Sequence, residues 1–68
     1  GGQLFGLFQQ MAADPNQLSR RERQIMEVIY SRGRATVAEV LDLCGMRRLE
    51  ALRAFTELVE GQAIVRVA

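Results

Sequence analysis

A chain of 68 residues has room for one small domain, and its 49% hydrophobic content suffices for a single compact core. Nine arginines, with no lysine, stand against eight acids for a net charge of +1, so the placement of the charges must decide what kind of partner is bound. The absence of histidine and the single cysteine exclude a clustered metal site, a Cys–His pair and a Ser–His–acid triad, and argue against an enzyme and against a cofactor.

Leu4, Leu7, Phe8 and Met11 recur at helical spacing, with Phe5 and Ala12 beside them, and predict a short amphipathic helix. Asp14-Pro15-Asn16 breaks it, because proline disfavours helix at the residue before it. Residues 1–16 are therefore expected to form an N-terminal amphipathic helix and linker. The stripe Leu4, Phe5, Leu7, Phe8 and Met11 must be covered, either by its own domain or by a second copy, and it is the candidate interface of a homodimer. Residues 1–19 carry no basic side chain, so neither a secretory signal nor a membrane-surface helix is expected, and the chain reads as cytoplasmic.

Ser19-Arg20-Arg21-Glu22 is a capping box that opens the next helix. Ile25, Met26, Ile29 and Tyr30, broadened by Val28, give it an apolar face, and Gly33 ends it. Thr36-Val37-Ala38-Glu39 repeats the capping box and opens a short helix whose Val37, Val40, Leu41 and Cys44 share a face before Gly45. A third helix follows after about two residues. Leu49, Leu52, Phe55, Leu58 and Val59 supply its apolar positions, Ala51 and Ala54 allow close approach, and Gly61 caps it. Ala63-Ile64-Val65-Arg66-Val67 then has the β-branched character of a short strand, for which Arg34-Ala35 is a minimal partner.

A short helix, a glycine turn and a longer helix make a helix-turn-helix, and the trailing strand suggests the winged variant. The expected fold is thus mainly α, a three-helix core plus a short C-terminal strand over residues 17–68, with a truncated wing and the extra N-terminal helix. The source of the missing wing strand, a partner chain or elsewhere, is left open by the sequence.

The stretch from Leu18 to Leu41, with its Glu-x-x-Ile-Met-Glu-Val and Ala-Thr-Val-x-Glu-Val elements, resembles the opening of the penicillinase-repressor (BlaI/MecI-like) family of bacterial regulators. That resemblance implies a homodimeric repressor that binds double-stranded DNA, with the third helix, residues 47–60, reading the major groove. By position it places Arg47, Arg48, Glu50 and Arg53 on or near the reading helix.

Each candidate residue also has a plainer reading. Arg47, Arg48 and Arg53 can grip guanine edges or phosphates, or can belong to a solvated face paired with Glu50 and Glu57. Glu50 can accept from cytosine or simply repel phosphate. Arg20, Arg21 and Arg23 oppose the dipole of their helix, which phosphate contact would explain, although solubility and an Arg23–Glu27 pair explain it too. Arg34 and Arg66 are expected near one another on the short sheet, touching phosphate or guarding its edges. One of Leu49 and Leu52 is expected to face solvent, which favours a protein partner. Cys44 reads as a small core hydrophobe, with redox sensing as the alternative. The function expected first is a sequence-specific DNA-binding repressor without an evident small-molecule substrate. The alternative is a winged-helix protein-interaction or oligomerisation module.

Overall fold

The computed structural model describes residues 5–11 and 18–68; Leu4 and Ala12 of the N-terminal stripe lie outside them. In chain order the elements are β1 (Phe8–Gln10), α1 (Arg20–Arg32), β2 (Arg34–Ala35), α2 (Val37–Cys44), α3 (Arg48–Glu60) and β3 (Ile64–Arg66). Among the described residues three helices carry one three-stranded antiparallel sheet of order β2-β1-β3, an architecture compatible with a winged-helix-like fold.

The helix starts follow from side-chain chemistry. The Ser19 hydroxyl accepts the Glu22 N–H at 3.2 Å while Ser19 N–H donates to Glu22 Oε1 at 2.8 Å. Thr36 and Glu39 make the same reciprocal pair at 3.1 and 3.0 Å. Each box satisfies two backbone N–H groups that otherwise lack a partner, which is why both helices begin where they do. Gly45 ends α2 in the left-handed conformation, at φ 65°, where a Cβ is unfavourable.

Gly61 caps α3 as expected, its N–H donating to Glu57 O at 2.8 Å, but the left-handed residue comes one position later. Gly61 has an ordinary φ of −80°, and it is Gln62 that takes the positive value, 60°. Gln62 N–H donates to Val59 O at 3.0 Å and Ala63 N–H to Leu58 O at 2.8 Å, the crossed bonds of a Schellman cap.

The N-terminal segment is the main correction. Where a helix was expected, Phe8–Gln10 form the central strand, pairing Phe8 with Ala35 on one side and with Arg66 on the other. The ladder continues beyond β1 and β3: Met11 N–H donates to Ala63 O at 2.7 Å and Val67 N–H to Leu7 O at 2.8 Å. The physical reason is that β3 offers a row of unpaired backbone groups, and satisfying them outweighs the local helical spacing. The missing strand partner is therefore supplied from within the chain. Arg34-Ala35 pairs with β1 and not with β3. Nor does the N-terminal segment stand outside the body of residues 17–68, because β1 is the middle of its sheet.

Phe8 is only 1% exposed and its ring meets that of Phe55 at 5.3 Å and 60°. It fills the protein's own core instead of an intermolecular face. Burying such a ring contributes roughly 2–3 kcal/mol, and the tilted pair adds about 1 more. Around it lie Ile25 and Ile29 of α1, Val40 of α2, Leu58 of α3 and Ile64 of β3, all fully buried. Tyr30, expected on the inner face of α1, is 75% exposed. No helix among the described residues is long and apolar enough to cross a membrane.

Candidate nucleic-acid interface

Three residues, Gly45, Met46 and Arg47, join α2 to α3. Met46 packs partly against the core and pins the turn, so the first turn of α3 has a defined position. Arg47 stands at the N-cap, where its carbonyl accepts Ala51 N–H at 3.0 Å while its side chain makes no capping bond. The resulting helix buries Ala51, Ala54, Phe55 and Leu58. Its outward side begins with Arg47, Arg48, Leu49 and Arg53 and ends with Thr56, Glu57 and Glu60, all exposed. The charge is thus divided along the axis, cationic at the start and anionic at the end.

Glu50 is the acid in the cationic half, and it is engaged. Arg21 Nε lies 2.8 Å from Glu50 Oε2, tying the first turn of α1 to that of α3. Arg21 and Glu50 therefore neutralise one another, whereas Arg47, Arg48 and Arg53 form no ion pair with any of the described residues. The pairing of Glu50 with an arginine was expected within α3; it comes instead from α1.

Arg20 is exposed on the first turn of α1, one residue before Arg21. Arg34 and Arg66 are not neighbours. They sit on opposite edge strands, and their registers, Arg34 across from Gln9 and Arg66 across from Phe8, direct them to opposite faces. Arg66 instead reaches the N-terminal segment, where its Nη1 donates to Phe5 O at 3.5 Å.

That contact brings together residues the sequence did not connect. Phe5, Gly6, Val37, Arg48 and Leu52 line one cleft of about 430 Å³, where the lead into β1 meets the starts of α2 and α3. Gly6 makes the approach possible. Its φ is +111°, and a Cβ there would stand 2.0 Å from the carbonyl oxygen of Ala68. A glycine inside a supposed helix was the available signal, since it costs about 1 kcal/mol there relative to alanine.

On the remaining candidates, Leu49 is 64% exposed while Leu52 is half-buried. Of the N-terminal stripe, Phe5 and Met11 are exposed, Leu7 is half-buried and Phe8 is in the core. Cys44 is half-buried against the core, its thiol 3.8 Å from the carbonyl of Gln24. Burial first, and the Glu27 carboxylate second, push that thiol above its ordinary pKa, which disfavours the reactive thiolate. At the other end of α1, Arg32 Nη2 bonds Glu39 Oε2 at 2.6 Å. Compared with known proteins, the chain matches no family model, no curated protein and no solved structure.

Proposed function

We propose that this protein is a DNA-binding transcriptional regulator, a repressor of winged helix-turn-helix type, with α3 as its major-groove reader. The observation that carries this reading is the cationic start of α3. Arg47, Arg48 and Arg53 are exposed and without an acid partner among the described residues, while Glu50 is neutralised by Arg21. Guanidinium forks in that position suit guanine edges and phosphate oxygens alike. Arg20, on the adjacent first turn of α1, extends the same positive edge. A homodimer belongs to this proposal, with the exposed Met11 as its apolar contact.

The test is fluorescence anisotropy of a labelled mixed-sequence duplex at about 50 and 200 mM salt. Three arginine–phosphate contacts predict roughly a 40-fold loss of affinity between those conditions. The Arg48→Ala/Arg53→Ala double variant is expected to stay folded and to bind far more weakly. Undiminished binding by the folded double variant would remove α3 from the mechanism.

One observation favours a second reading, a protein-interaction module. Leu49, 64% exposed, stands in the middle of the cationic turn, where a groove-reading surface is usually polar. Under that reading the duplex is not bound even at low salt.

A further inference from the structure

We propose that the cleft between Phe5 and the start of α3 binds one unstacked nucleobase of single-stranded nucleic acid, with the Phe5 ring as its stacking platform. Three features support this. Phe5 is 72% exposed in a chain that buries its other two phenylalanines, Phe8 and Phe55, almost completely. Its backbone is nonetheless held, because Arg66 donates to its carbonyl and the next residue, Gly6, is pressed against Ala68. A ring carried on a backbone held in that way has only its own side-chain torsions to lose when a base stacks on it.

The second feature is the cleft itself. Val37 and Leu52 give it apolar walls, and among the described residues no carboxylate lines it. The third is charge. Arg48 lines the cleft on the α3 side, and Arg66 meets Phe5 from the sheet. A base carried on a phosphate chain matches that arrangement, its π-face against the ring and a flanking phosphate beside the Arg48 guanidinium. An acidic peptide satisfies Arg48 but leaves the ring without a stacking partner. The proposal shares Arg48 with the duplex-binding reading, yet it depends on Phe5, which that reading does not place on DNA.

The chain contains no tryptophan, so the Phe5→Trp variant carries a single indole as reporter. It is titrated with an oligothymidylate strand, a mixed-sequence duplex and polyglutamate, with circular dichroism melts as the control for folding. The strand is expected to quench the indole saturably, and Phe5→Ala to weaken strand binding about tenfold while melting like the parent. Strand binding that leaves the indole unquenched and is unchanged in Phe5→Ala overturns the proposal. So does polyglutamate binding as tightly as the strand, or no strand binding at all. Duplex binding that ignores Phe5 leaves the regulator reading standing alone. Quenching by the strand without any duplex binding does the reverse.

Discussion

Arg21 Nε and Glu50 Oε2 are 2.8 Å apart, so the first turn of α1 holds the acid on the first turn of α3. Both side chains are substantially exposed, at 59% and 37%, and such a pair contributes at most about 0.5 kcal/mol. Its larger effect is on the field around α3. Glu50→Gln is expected to leave the melting temperature nearly unchanged. In the anisotropy titration at low salt it should tighten duplex binding severalfold, since a carboxylate is removed and Arg21 released. Equal or weaker binding would show that Glu50 does not face the nucleic acid.

Gly6 and Ala68 set a second expectation. A methyl group at Gly6 would lie 2.0 Å from the Ala68 carbonyl oxygen, on a backbone with φ +111°. Gly6→Ala should therefore cost about 1–3 kcal/mol and open the neighbouring ladder. The amides of Leu7 and Val67, which donate to Ala68 and Leu7, are expected to lose hydrogen-exchange protection first. Gly33→Ala is the control: it also has positive φ, +84°, but nothing within 4 Å, so only the conformational cost applies.

Gln62 points the other way. It holds a φ of 60° at the end of α3, a conformation that costs a side-chain-bearing residue about 1 kcal/mol. Gln62→Gly relieves that strain while keeping the Schellman bonds, and the larger freedom of glycine in the unfolded chain offsets part of the gain. A stabilisation of roughly 0.5 kcal/mol is expected by urea denaturation, with the slope unchanged.

Glu39 makes stability depend on pH. The backbone and hydroxyl of Thr36, and after them Arg32, hold its carboxyl below the ordinary value of 4.5. A carboxyl whose pKa is lower folded than unfolded contributes stability that is complete above the unfolded value. That contribution fades as pH falls through the folded one. Melts from about pH 6 to about pH 3 should show this loss in the parent, and a flatter profile in Glu39→Gln. An identical slope in both would dissociate the cap from acid sensitivity.

The helices were legible in the sequence because their signals are local. Ser19 with Glu22 and Thr36 with Glu39 lie within one turn of each other, and both pairs form as the spacing implies. Local spacing misled at the N-terminus, where Leu4, Leu7, Phe8 and Met11 look helical, yet Phe8 pairs with Arg66 from the far end of the chain. No pattern within a window of ten residues can report a strand partner that distant. Gly6 was the one local hint. The same distance hid the cleft, since Phe5 and Arg48 meet only after β1 has been inserted between β2 and β3. The exposure of Leu49 rather than Leu52 was undecidable for a different reason. Both lie at apolar helical positions, and only the placement of α3 against α1 and α2 separates them.

The central position of β1 also bears on how the chain reaches this state. The α1–α2–α3 core forms through short loops, whereas the sheet needs the first described residues to find the last. Closing so long a loop is entropically costly before any ladder bond is gained. The sheet is therefore expected to form late, and destabilising β1 should mainly speed unfolding and scarcely slow the collapse of the helices.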